Sequence, residues 1–583
     1  MAENQRKLDE LRREQSELGS HLVDELLAGR LDRREFVRRG TVVGISAASI
    51  GGILAACGSA NSSDSGSSGA APSSSAAVET GVVSQQSSSS AATTAATGKK
   101  GGTIRVGVVV PAGAIEPWLN AEQGSIVITS LVGEYLARAQ TDLSLRPELA
   151  QKWTPSADVK TWTFELTKGA TFSDGRPVTA ADVASSFDRM TDPKGGSAAL
   201  SAFAGVLSKG QTEAQGESTV VFHLDAANAS FPYLVCSQIY NTVILPKDYK
   251  LGDWEKTWLG TGPFKLVKYT PKQGATFVRN PNYWDKSHQP LLDGVNFTFF
   301  EGEQPQILAL QGGQVDIVNQ ISFQGGRSLF TSPNAQIFAV RSATHREIAM
   351  RVDKDPFKNK LVRQAIALSL DRKALIQQLF SGKGEVGNDS PFWAGYPSTN
   401  TSVPQRVQDV AKAKQLLEQA GMKSFDATLT TERIFEIPDL AVQLQQAVKA
   451  IGGNLKLNII TATQYFAGGP KETPWLNAAM NITDYGHRPT PNVFLGAPLQ
   501  TGGIWNAAHF SNPAYDALVK QYTAEVDVQK AQAIAGKIQA LLLDETPIII
   551  PYFYNYLAAG SKKVQGYVAD PQSLMDLRST SLA

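Results

Sequence analysis

TDLSLRPELAQKWTPSADVKTWTFELTKGATFSDGRPVTAADVASSFDRM, running from Thr141 to Met190, is the stretch from which the fold is read. Trp162, Phe164 and Leu166 alternate with Thr161, Thr163, Glu165 and Thr167, the period of a strand with one buried face. Lys168-Gly169 and Asp174-Gly175 place turn chemistry on either side of a short run around Phe172. Thr179-Ala-Ala-Asp182 puts a hydroxyl at a helix N-cap and a carboxylate three residues on, the pattern of a capping box. The helix it opens carries Val183, Phe187 and Met190 on one stripe. Physics alone predicts a strand–turn–helix module here, and no function.

The surrounding chain sets wider bounds. At 583 residues it is too long for one core and implies two or three domains. A formal net charge of +1 with 19% charged residues describes an ordinary polar surface, without the concentrated basic patch of a nucleic-acid binder. No G-x-S-x-G, H-E-x-x-H, P-loop or Cys-x-x-Cys spacing occurs. The histidines (His21, His223, His288, His345, His487 and His509) are scattered, none paired with another at ligand spacing. No enzyme activity, cofactor or metal is therefore expected. Gly260-Thr-Gly262 imitates part of a dinucleotide fingerprint but lacks the third glycine and the helix opening, because Pro263 leads into the strand-like Phe264-Lys-Leu-Val.

The first hundred residues are of another kind. Asp32-Arg33-Arg34-Glu35-Phe36-Val37-Arg38 resembles a twin-arginine export motif, departing from it at Asp32 and Val37. Thr41 to Ala56 is apolar and rich in Gly, Ala and Ser, shorter than the ~20 residues a spanning helix needs. It ends in Leu54-Ala55-Ala56-Cys57, which resembles a lipobox with Cys57 as the lipidated residue. The tract from Gly58 to about Lys100 is almost wholly Ser, Ala, Gly and Thr, the composition of a flexible tether with an r.m.s. span of ~35 Å. Residues 1–56 thus read as an export signal and 57–100 as a lipidated cysteine plus tether. The expected location is the outer face of the cell membrane or the periplasm. Cys236, the other cysteine, reads as a small buried hydrophobe with no disulfide partner.

The wording of the opening stretch does more than its periodicity. "L.PELA..W…TW.FEL..G..FSDG.PVTA.DV..SF.R" closely resembles the signature of the family 5 extracellular solute-binding proteins of ABC importers, the oligopeptide, dipeptide and nickel-binding group. Further similar segments are Gly260-Thr-Gly-Pro-Phe-Lys-Leu266, Arg279-Asn-Pro-Asn-Tyr-Trp284, the helix from Lys360 to Ala374, Phe510 to Leu518 and Asp544 to Pro551. The resemblance implies an α/β, two-lobed fold of the periplasmic-binding-protein kind (class II, with an extra domain), in which lobe I is discontinuous. Lobe I is expected at 101–145, 240–345 and 545–583, the extra domain at 146–239 and lobe II at 346–544. It also implies a monomer that captures a small solute between its lobes and delivers it to ABC permease and ATPase subunits. A peptide or peptide-like ligand comes first. A nickel or metal chelate and an oligosaccharide are alternatives on the same scaffold, as is an exported hydrolase or sensor that has kept it.

The binding candidates follow from that resemblance. Met480-Asn-Ile-Thr-Asp484-Tyr485-Gly-His487-Arg488-Pro489 resembles a family loop whose aspartate pairs with the amino terminus of a peptide, which places the role on Asp484. An ammonium in a dry cleft needs such a carboxylate to offset its desolvation. Tyr485 accompanies it, and His487-Arg488 stands where the family has an acidic residue, a change that could suit a carboxylate or other anionic group. Glu134 lies where the family has a Glu-Gly-Leu. Trp393 and Trp505, with Tyr396, Tyr465 and Trp475, sit in Pro- and Gly-rich segments of the sort that wall a cleft.

Overall fold

Residues 98–583 are described by the computed structural model; the twin-arginine motif, Cys57 and most of the tether lie outside the described residues. Two seven-stranded mixed sheets organise them; one apolar core joins the first to the four-stranded sheet, and another packs Val318, Leu557 and Ala559 of the first with Ile348, Met350 and Ile482 of the second. At the centre of the first sheet is Thr103–Val109, with Ile104, Val106 and Val108 buried on one face. It runs parallel to Gly294–Phe300 on one side and to Ile317–Val318 on the other. Gly274–Arg279 and Phe264–Thr270 extend the sheet beyond Gly294–Phe300. Tyr556–Ser561 and Ala335–Val340 extend it the other way. The second sheet has the order Gly384–Val386, Tyr552–Tyr554, His345–Met350, Met480–Tyr485, Phe425–Glu432, Gly453–Ile460. Ile548–Ile549 adds a short pairing to His345–Met350.

The Thr141–Met190 stretch folds as its pattern dictates. Thr161–Leu166 buries Trp162, Phe164 and Leu166 within a four-stranded antiparallel sheet. The helix Ala180–Met190 starts at the Thr179 capping box, with the Asp182 carboxylate accepting the Thr179 N–H at 2.8 Å. Its buried side packs Val183, Phe187 and Met190, and Phe187 meets Phe222 edge to face at 5.0 Å. Gly260 and Gly262 have nothing to do with phosphate. A Cβ at either would collide with the backbone carbonyl of Val132, so both permit a close approach to the end of the helix Gln123–Val132.

Three expectations change. The Lys360–Ala374 segment is not one helix: Lys360–Ser369 ends before Asp371, which caps a second helix, Arg372–Phe380. The chain returns to the first sheet later than residue 545, because Ile548–Ile549 and Tyr552–Tyr554 pair with strands of the second. His345 likewise opens a strand of the second sheet rather than closing the first lobe. The crossovers between the sheets are therefore 341–344, between Ala335–Val340 and His345–Met350, and Asn555 alone, between Tyr552–Tyr554 and Tyr556–Ser561. They are tied side by side: Ser342 Oγ donates to the Tyr554 carbonyl at 2.6 Å, and Tyr554 N–H to the Thr344 carbonyl at 3.0 Å. Cys236 is buried and has no disulfide partner among the described residues. Among the described residues, no helix is long and apolar enough to cross a membrane.

Candidate functional site

A cavity of about 440 Å³ lies beside these crossovers, with Gln320, Phe323 and Tyr556 on the side of the first sheet and Arg346, Asp484 and Arg488 on the side of the second. The volume is in the range of small-molecule sites. Its floor is built by strand register. Arg346 in His345–Met350 stands directly opposite Asp484 in Met480–Tyr485, and both side chains leave the same face of the sheet. Arg346 is wholly buried. Its guanidinium is forked on Glu436 (Nε to Oε1 2.8 Å, Nη2 to Oε2 3.0 Å), while Nη1 donates to Tyr554 Oη at 2.6 Å and to Asp484 Oδ1. The Tyr552 hydroxyl adds a bond to Glu436 at 3.1 Å.

Two carboxylates thus share one guanidinium, leaving a net charge of −1 on the cluster. Burial works against the Arg346 charge, but Asp484 and Glu436 outweigh it and lift its pKa well above the ordinary value. Burial raises the Asp484 carboxyl above its usual range, with Arg346 opposing the shift. Both hydrogen bonds that Asp484 accepts go to Oδ1, and its side chain keeps 27% of its surface open. The other oxygen remains for a donor in the cavity.

Arg488 is the counterpart. Nη1 donates to its neighbour's carbonyl, His487 O, at 2.8 Å and reaches Gln572 Oε1 at 3.4 Å, across from the returning C-terminal chain. Its Nε has no partner, and its hydrogen bonds among the described residues go to neutral oxygens rather than to a carboxylate. Burial lowers its pKa, only partly countered by Tyr240 and Tyr396. The cavity therefore holds an open carboxylate oxygen and an unneutralised guanidinium within one strand-and-loop segment.

Asp484 and Arg488 are thus brought together, and the other expected site residues are not. Tyr485 follows Asp484 on a strand, so alternation sends it to the opposite face, where it stacks on Trp505 at 5.9 Å. Trp505, half-buried, packs there and does not line this cavity. His487 turns into the core, where Nδ1 accepts the Ala343 N–H at 3.0 Å; burial pushes its pKa down to about 3. Trp393 donates Nε1 to Glu385 at 3.1 Å and lies under Arg341, so it braces a crossover. Glu134 is fully buried elsewhere in the first lobe. It accepts Tyr283 Oη at 2.5 Å and Trp284 Nε1 at 2.7 Å, and burial followed by Glu148 raises it to about 7. Tyr396 gives its hydroxyl to the Arg488 carbonyl at 2.7 Å, Tyr465 is buried against the Ile482 carbonyl, and Trp475 packs on Phe466. The aromatic walls are instead Tyr240, Phe323, Phe380, Phe435, Tyr554 and Tyr556. The missed floor residue Arg346 leaves a trace in the sequence at His345-Arg346-Glu347, three ionisable residues in a row entering an otherwise apolar strand. No group of three or more His, Cys, Asp or Glu among the described residues is placed to hold a metal ion.

Comparison with known proteins agrees with this architecture. The dipeptide-binding protein DppE of Bacillus subtilis is 28% identical over 480 residues, covering 76% of this chain and 85% of that protein. The glutathione-binding protein GsiB of Pectobacterium atrosepticum is 25% identical over 463 residues, 76% of this chain and 86% of its own. The crystal structure of the ABC transporter substrate-binding protein CtaP from Listeria monocytogenes superposes with a TM-score of 0.72 at 23% identity. It covers 83% of this chain and all of that one, which shows a shared fold. The family model for bacterial extracellular solute-binding proteins, family 5 (middle), matches residues 144–506. With a two-sheet fold, paired crossovers and a charged cavity between the sheets, this chain belongs to the family 5 extracellular solute-binding proteins.

Proposed function

We propose that the protein captures a short peptide or peptide-like zwitterion in the cavity and delivers it to an ABC import permease, performing no covalent chemistry itself. The observation that carries this reading is the pairing of an open Asp484 oxygen with the unneutralised Arg488 guanidinium in one cavity. An α-ammonium at Asp484 meets a cluster with net negative charge, and a carboxylate at Arg488 supplies the partner that a buried guanidinium lacks. The names of the relatives, dipeptide- and glutathione-binding proteins, support the same ligand class. Both charged poles lie on the second lobe, so binding would favour the closed form through the contacts the ligand makes with Gln320, Phe323 and Tyr556 of the first. Anchoring through a lipidated Cys57, after export led by Arg33-Arg34, completes the proposal.

Two variants test the cavity by calorimetry and thermal melting. Asp484→Ala should weaken peptide binding by ~2–5 kcal/mol, the scale for truncating one partner of a buried charge pair. It should also lower the melting temperature of the empty protein, since Arg346 loses a ligand. Arg488→Met should weaken binding yet raise the melting temperature of the empty protein, because it removes an unpaired buried charge. If both variants bind the wild-type ligand unchanged, the zwitterion reading is wrong.

A further inference from the structure

Phe435 is the outlier of the cavity. It sits between the strand Phe425–Glu432 and the helix Ile437–Ala450, with a left-handed backbone (φ 46°) and 42% of its surface exposed. A bulky residue is strained in that conformation, and a glycine there would not be. The left-handed turn has a geometric result: the consecutive side chains of Phe435 and Glu436 both line the cavity. Phe435 lies over the Arg346 guanidinium, 5.8 Å from the ring centroid. That guanidinium is already forked on Glu436 and bonded to Asp484, so it is not free to receive an anionic ligand there. Around it the surface is aromatic. Phe380 stacks on Tyr554 with centroids 5.4 Å apart and planes 5° from parallel, and Phe323 reaches Phe380 from the first lobe at 6.3 Å. The acidic pole of the cavity is therefore bordered by an aromatic corner drawn from both lobes.

From this geometry we infer that Phe435 is a specificity-determining residue, and that the cavity selects peptides whose first residue carries an aromatic or large aliphatic side chain. The inference rests on the zwitterion reading above, since it is the ammonium at Asp484 that places the first side chain in this corner. Strain held at an exposed aromatic that a glycine would relieve has its physical account in contact with the ligand.

The test is calorimetric titration of the full-length purified protein with Phe-Gly-Gly, Leu-Gly-Gly and Ala-Gly-Gly. Wild type should bind Phe-Gly-Gly about tenfold or more tighter than Ala-Gly-Gly, with Leu-Gly-Gly between or equal to Phe-Gly-Gly. Phe435→Ala should erase most of that ratio while leaving the Ala-Gly-Gly affinity within about threefold, and Phe435→Leu should restore part of it. Phe435→Gly should melt at a higher temperature than wild type without ligand. Equal affinity for the three peptides in wild type, or an undiminished ratio in Phe435→Ala, overturns the inference and leaves the zwitterion reading standing. Failure of all three to bind overturns that reading, and the inference with it.

Discussion

Glu347 carries a cost that its neighbours do not relieve. It follows Arg346 on the same strand, so its side chain leaves the opposite face and is 1% exposed, with Oε2 lacking a hydrogen-bond partner among the described residues. Burial raises its pKa from the ordinary 4.5 to about 8. Between those values the unfolded chain releases the proton and the folded chain keeps it, so stability falls as pH rises through this window and levels off above it. The full penalty is on the order of a few kcal/mol. Glu347→Gln keeps the shape without the titration. Its stability advantage over wild type, measured by urea unfolding, should grow steadily from pH 5 to pH 8. An advantage independent of pH would show that Glu347 is neutral or fully ionised throughout. The cluster of Arg346, Glu436 and Asp484 shows the opposite economy at the same depth: each charge there is met by another, and the surplus negative charge faces the cavity.

Among the elements, the crossover 341–344 is braced from several sides. Arg341 is forked on Glu385 at 2.8 Å through two nitrogens, and its guanidinium covers Trp393. Ala343 is held from two sides by imidazoles, its N–H donating to His487 Nδ1 and its carbonyl accepting from His345 Nδ1 at 2.8 Å. Burial keeps both rings neutral, lowering His345 to about 4 and His487 to about 3. The acceptor role of His487 requires that neutrality, since a protonated ring has no lone pair to offer. His487→Ala strands a buried backbone N–H and should cost ~1–3 kcal/mol in chemical denaturation. Peptide affinity should change far less than in Asp484→Ala. A loss of affinity as large as that of Asp484→Ala, with stability intact, would return His487 to the binding site.

Across the described residues two lobes are joined by two adjacent crossovers, and rotation about 341–344 and Asn555 is the expected route by which the cavity opens and closes. A saturating peptide should raise the melting temperature in proportion to RT ln(1 + [L]/Kd) and reduce the radius of gyration in solution scattering. Steady conversion of the peptide to a new product would contradict a pure binding role. The anchoring proposal is tested at the same scale. Cys57→Ala should release the protein from the membrane fraction or leave it unprocessed, and unchanged membrane retention and gel mobility would refute lipidation at this position.

Much of the architecture was legible locally because it is made locally. The alternation of Trp162, Phe164 and Leu166 and the Thr179–Asp182 box each depend on neighbours a few residues away. The family wording then supplied the order of the lobes and pointed to Asp484. What the cavity holds was decided by tertiary structure alone. Arg346, Phe435 and Tyr554 are far apart in the chain and meet Asp484 only through strand register and the return of the C-terminal segment, and nothing in local pattern encodes that pairing. The same register separates Asp484 from Tyr485, sending one side chain to the cavity and the next to the core. His487, Trp393 and Glu134 had the chemistry of ligand contacts, but each has a polar atom claimed by a protein group that only the folded chain brings near. Residue type sets what a side chain can do; the fold decides which of its partners reaches it first.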